Sequence, residues 1–257
     1  MEKEHKQTSE FKSLKQLTVG THACHDALRD GREFERVFIR KGARGDLFEE
    51  IIGLCKEKAI PFSFVPGEKL DRLTNVNHQG IIALHAEIAY QKYEDIIPFL
   101  FEQGESPMCV ILDRITDVRN FGAIVRTAES LGAHCIIIPD RGAAQINTEA
   151  IKTSAGAISR LPICRTDSLK EAVSFLKMSG LRIVAASEKG TAAIYEAELS
   201  GPLGIVMGSE EDGVSQELLE MTDDTLRIPM TGTTGSLNVS VALGMFVYEA
   251  VRQRSSN

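Results

Sequence analysis

No glycine in this sequence is followed by lysine, so the phosphate loop G-x-x-x-x-G-K-[ST] is absent, and neither G-x-G-x-x-G nor G-x-S-x-G occurs. A pyrophosphate-clamping cofactor and a serine nucleophile on an elbow both lose their signatures. Apolar runs are short, well under the roughly 18 residues that a membrane span needs. Residues 1–15 lack the apolar core of a signal peptide, so a cytoplasmic protein with no membrane segment is expected. Cysteines are few and odd in number: Cys24, Cys55, Cys109, Cys135 and Cys164 include no C-x-x-C pair. Several sit in apolar runs such as His134-Cys135-Ile136-Ile137-Ile138, which points to buried, reduced thiols. His22 and His25 lie three apart with no third ligand at readable spacing, so no metal is expected. Positive charge is in deficit too, with 29 Lys+Arg against 36 Asp+Glu and a net charge of −7. Taken whole, that sign argues against broad, non-specific binding to nucleic acid.

What is present is an ordinary globular composition, 43% hydrophobic and 25% charged, in 257 residues, enough for one large domain or two small ones. The charge is unevenly spread. Residues 1–87 carry 14 basic and 14 acidic side chains, residues 88–257 carry 15 and 22. Within the acidic part, Arg114, Arg119, Arg126, Arg141, Lys152 and Arg160 outnumber Asp117, Glu129, Asp140 and Glu149, a locally basic stretch. Apolar periodicity divides the chain into a polar tail (1–16), expected to be disordered, a small α/β module (17–87), a linker (88–106) with a short helix near 95–101, and a larger α/β domain (107–257). In the last, the unbroken apolar run Cys109-Val110-Ile111-Leu112 reads as a strand covered on both faces. Strands alternating with helices imply a parallel sheet.

Three segments of the larger domain gather Gly, Asn, Ser and charged residues at the carboxyl ends of apolar strands, where open α/β sheets bind ligands: 112–128, 204–215 and 228–242. Each has a plain structural reading. Asn120 can cap the helix that follows it, Gly208 and Gly213 can be turn glycines, and 231–235 can be a flexible loop. Arg126, inside an otherwise apolar helix, either snorkels to solvent or grips a phosphate. Three such loops in one sheet also suit a ligand read through main-chain N–H and C=O groups.

The stretches Asp117-Val118-Arg119-Asn120-Phe121-Gly122-Ala123-Ile124-Val125-Arg126, Val206-Met207-Gly208-Ser209-Glu210-Glu211-Asp212-Gly213 and Ile228-Pro229-Met230 through Ser236-Leu237-Asn238-Val239-Ser240 resemble the three ordered motifs of the SpoU (TrmH) class of RNA ribose 2′-O-methyltransferases. Lys152-Thr153-Ser154-Ala155-Gly156-Ala157 is similar to another segment of that family. Gly20-Thr21-His22-Ala23 and Asn77-His78-Gln79-Gly80 resemble its small substrate-binding domain. The layout is most similar to the bacterial 23S rRNA guanosine-2′-O-methyltransferase subgroup.

The resemblance implies S-adenosylmethionine as methyl donor, an rRNA substrate, an obligate homodimer and a deep trefoil knot in the C-terminal parallel-sheet domain. It implies catalytic roles for Asn120, Arg126, Glu210, Ser236 and Asn238. Cofactor contacts are implied at Met207, Gly208, Gly213, Ile228, Met230, Ser236 and Leu237. Because arginine does not deprotonate, Arg126 is expected to bind phosphate and stabilise oxyanion charge, oriented by Asn120 and Glu210. The apolar helix from Leu237 is expected to be buried on both sides by the dimer. Rival readings are a tRNA 2′-O-methyltransferase, a catalytically silent RNA-binding assembly factor, and a nucleotide-dependent oxidoreductase that would lack its glycine fingerprint.

Overall fold

The computed structural model describes residues 17–58, 60–233 and 235–256; the expected tail, 1–16, lies outside the described residues. The chain divides into two compact units at Ala89/Tyr90.

The first unit is a four-stranded sheet in the order β1-β4-β2-β3, made of β1 (Leu17–Val19), β2 (Phe34–Arg40), β3 (Phe62–Val65) and β4 (Ile81–His85). β4 runs antiparallel to both β1 and β2, and β2 runs parallel to β3. α1 (Thr21–Arg29) and α2 (Asp46–Glu57) present Cys24, Leu28, Ile51 and Cys55 to Phe34, Val37 and Ile39. α3 (Gly67–Leu73) buries Leu70 against Phe38, Val65 and Ile82 on alternate strand positions.

The second unit opens with α4 (Tyr93–Glu102), within the stretch expected to be linker; its Tyr93 and Ile97 are buried in this unit's core. There follow β5 (Met108–Leu112), α5 (Val118–Ser130), β6 (Cys135–Pro139), α6 (Thr148–Thr153), β7 (Ile163–Thr166), α7 (Leu169–Met178), β8 (Arg182–Ala186), β9 (Ala192–Ala193), β10 (Leu203–Met207), α8 (Gln216–Leu219), β11 (Asp224–Arg227) and α9 (Val239–Arg254). The sheet is wholly parallel in the order β7-β6-β5-β10-β8-β11-β9, as the fold reading anticipates. Every residue of β5 and β10 is buried. One face is covered by α4 and α7 through Ile97, Val173 and Leu176. α5 and α9 pack together, burying Phe121, Ile124, Val125, Leu243, Phe246 and Val247.

Two helix starts differ from expectation. Asp117, not Asn120, caps α5, its carboxylate accepting from the N–H groups of Arg119 and Asn120 at 2.9 and 2.8 Å. α9 begins at Val239 with Asn238 as its cap. The apolar face of α9 is not buried all round: Val241, Met245 and Tyr248 are 48%, 43% and 60% exposed. All five cysteines are free and buried; burial pushes the Cys24 and Cys55 thiols up to about 12, so neither is a thiolate near neutrality.

Candidate functional site

The carboxyl edge of the parallel sheet is where β5, β8, β10 and β11 hand over to loops, and a pocket of about 610 Å³ opens there. Its walls come from 186–189 after β8, 207–216 after β10, and Ile228, Met230, Ser236, Leu237 and Val239 after β11. All seven residues expected to hold a cofactor, Met207, Gly208, Gly213, Ile228, Met230, Ser236 and Leu237, line it. The volume falls within the range of small-molecule sites.

Why Gly208 stands in this wall is steric. A Cβ there would lie 2.0 Å from the carbonyl carbon and 2.2 Å from the carbonyl oxygen of Gly213, because the chain doubles back on itself through a bridge between Ser209 and Gly213. The loop is held closed by the Gly213 N–H donating to Ser209 O at 3.0 Å and by the Asp212 N–H donating to Ser209 Oγ at 3.1 Å. Charged groups around the pocket lean acidic: Glu188, Glu210, Glu211 and Asp212 against Arg114 and Lys189.

Beside the pocket stand three of the expected catalytic residues. Asn238 Nδ2 donates to Asn120 Oδ1 at 2.9 Å and to Glu210 Oε1 at 2.7 Å. The same Glu210 oxygen accepts from the Val239 N–H at 3.3 Å. Asn238 Oδ1 accepts from the Ser240 N–H and hydroxyl at 3.0 and 2.6 Å, so capping α9 also fixes which way the Asn238 amide faces. Residues 118 and 28 positions apart are thereby joined at the helix start. Ser236 lies exposed on the pocket wall.

Arg126 is not brought into this cluster. It is exposed on α5 with no hydrogen bond or ion pair among the described residues, while Asn120 and Glu210 bond Asn238 instead. The side-chain bonds expected to orient Arg126 are made to Asn238. Helical geometry explains the separation: six positions after Asn120 is about a third of a turn away from its face. Two neighbouring arginines are already paired, Arg119 with Glu149 at 2.7 Å and Arg160 with Glu129 at 2.6 Å.

Asp113 and Arg114, within the 112–128 stretch but given no role from sequence, brace the 208–215 loop, and the 186–189 segment, not singled out at all, forms a pocket wall. The 152–157 segment does not line the pocket. Its neighbourhood receives α5: a Cβ on Gly122 would meet Thr153 Cβ at 2.7 Å and Ala150 O at 2.8 Å, so glycine permits the approach of α5 to α6. In the first unit the two motif segments meet, Thr21 donating from its N–H and hydroxyl to Gln79 Oε1 at 3.1 and 2.9 Å.

Fold and site together define a two-unit α/β protein whose larger unit offers a backbone-lined, nucleotide-sized pocket and a fixed Asn-Asn-Glu cluster at the edge of a parallel sheet. The chain belongs to the SpoU rRNA methylase family, whose model matches residues 107–248, and residues 17–91 match the RNA 2′-O ribose methyltransferase substrate-binding domain. It is 36% identical over 93% of its length to the 23S rRNA (guanosine-2′-O-)-methyltransferase RlmB of Vibrio parahaemolyticus, covering 97% of that protein. The TrmH/SpoU tRNA modifying enzyme of A. aeolicus is 32% identical with a TM-score of 0.54 over 63% of this chain and 84% of its own. The SpoU methyltransferase AviRb of Streptomyces viridochromogenes, solved with AdoMet, shares the fold at 24% identity, with a TM-score of 0.60 over 94% of this chain and 91% of that one.

Proposed function

We propose that the protein is an S-adenosylmethionine-dependent RNA 2′-O-ribose methyltransferase acting on a guanosine of 23S rRNA. The observation that carries the reading is the Asn120–Asn238–Glu210 cluster, hydrogen-bonded beside a pocket lined by the seven expected cofactor contacts. Family membership supplies the reaction class, and likeness to an rRNA enzyme through both units favours rRNA over tRNA.

The pocket suits the donor chemically. Its acidic surplus favours a cationic sulfonium, and Gly208 and Ile228 on its wall suit contact with an adenine edge. S-adenosylmethionine, when bound, would supply an electrophilic methyl group for transfer to the ribose oxygen. The residues of the chain do the rest by positioning. Asn238, locked by Asn120, Glu210 and Ser240, sets a fixed dipole at the pocket edge, Ser236 offers a hydroxyl on its wall, and Arg126 offers an uncommitted guanidinium to an RNA phosphate.

The same reading includes the homodimer, with the exposed Val241, Met245 and Tyr248 stripe of α9 as its contact. It includes the knot as well, supported by the bonds of Asn238, which follows β11, to Glu210 in the loop after β10 and to Asn120 on α5. A cytoplasmic setting agrees with five free, buried thiols.

The test is transfer of tritiated methyl from S-adenosylmethionine to undermethylated rRNA and tRNA, followed by mapping of ribose methylation. We expect label in 23S rRNA, and Asn238→Ala to lower the rate at least a hundredfold. Label confined to tRNA would move the substrate, and no label in either RNA would overturn the reading.

A further inference from the structure

Arg114 follows β5 with φ +58°, in the left-handed region where a non-glycine residue is strained. Glycine would sit there without penalty, so the side chain must account for arginine. All three of its guanidinium nitrogens are engaged: Nη2 donates to Gly213 O at 3.0 Å, Nη1 to Asp212 Oδ2 at 3.1 Å and Nε to Asp113 Oδ1 at 3.3 Å. Asp113, itself buried, completes a frame around the same loop. Its N–H donates to Met207 O at 2.8 Å where the loop begins, and its Oδ2 accepts from the Ser215 N–H at 2.7 Å where the loop ends.

We infer that Arg114 is a positioning residue: it latches the 208–215 loop shut and thereby shapes the S-adenosylmethionine pocket from a strand the ligand's own loops do not include. The inference rests on the proposed function, since the loop it holds is the wall assigned to that donor. It gives the backbone strain at Arg114 a purpose, because two charge-assisted bonds to one loop and a third to Asp113 offset it.

The decisive variant is Arg114→Gly, which relieves the strain and removes the latch together. Its melting temperature should match or exceed the wild type's, while the S-adenosylmethionine Kd measured by calorimetry rises at least fivefold. Arg114→Lys should recover part of that loss, and Asp212→Asn should show a smaller one. In turnover assays KM for the donor should rise by a larger factor than kcat falls. Amide hydrogen exchange without ligand supplies an independent reading: Gly213 and Ser215 should exchange at least fivefold faster in Arg114→Gly. Unchanged Kd and unchanged exchange in Arg114→Gly would overturn the latch, as would a fall in melting temperature with no change in either. A wild-type chain that binds no S-adenosylmethionine overturns the proposed function instead, and the exchange measurement then decides the latch alone.

Discussion

Among the glycines, Gly208 leaves the least room for a side chain. Its missing side chain is the space occupied by the backbone of Gly213, so Gly208→Ala must push apart two strands of main chain rather than a flexible side chain. Overpacking of this kind costs about 1–3 kcal/mol. The expected outcome is a lower urea midpoint together with loss of detectable S-adenosylmethionine binding, read by denaturation and calorimetry on the same preparation. Residues of this sort were legible beforehand because several chemically unusual types stood in short, ordered segments: Asn120, Glu210 and Asn238 stood out, and they do meet. Arg114 did not, since its φ and its bonds to residues 98 and 99 positions away leave no local pattern in the sequence. Arg126 was legible as an odd residue on an apolar helix that either snorkels or grips a phosphate, and its six-residue spacing from Asn120 already sets it on another face of α5.

At the scale of elements, helix starts and strand ends decide what the site contains. Asp117 caps α5, leaving the Asn120 side chain free to accept from Asn238. Asp117→Ala should therefore cost about 1 kcal/mol in chemical denaturation and also reduce methyl transfer. At the amino end of the sheet, His134 Nδ1 accepts from the Met108 N–H at 3.0 Å, and burial, then the nearby Arg254 charge, holds its pKa below 6.5. An unfolded chain binds that proton more readily than the folded one. Stability contributed by the neutral ring is therefore complete above pH 6.5 and declines as pH falls from there toward the depressed folded value. Thermal melts across that interval should show the slope, and His134→Gln should flatten it. The run Cys109-Val110-Ile111-Leu112, read as a strand covered on both faces, lies within the wholly buried β5, and the alternation of strands and helices does give a parallel sheet. β7 and β9 had no such signal: one is four residues with an arginine third, the other two alanines, and both owe their pairing to neighbours already in the sheet.

For the whole molecule, the net charge of −7 conceals a basic stretch of which half is already spent on carboxylates. Arg114, Arg119 and Arg160 hold carboxylates, while Arg126, Arg141 and Lys152 are exposed without such partners among the described residues. RNA affinity should therefore fall only modestly with salt, with a slope of few phosphates; filter binding between low and physiological salt measures it. The proposed dimer has its own test. Tyr248→Glu, at the most exposed point of the α9 stripe, should yield a folded monomer by light scattering, whereas an unchanged dimer would take the contact elsewhere. The position of Asn238 has a consequence in time. A ribosome adds about 5–20 residues each second, so the strands and the Gly208 loop are synthesised before the one side chain that ties Asn120 to Glu210. A nascent chain that ends between Glu210 and Asn238 has both halves of the cluster and no centre, so methylating capacity appears in a single late step of translation rather than growing with the chain.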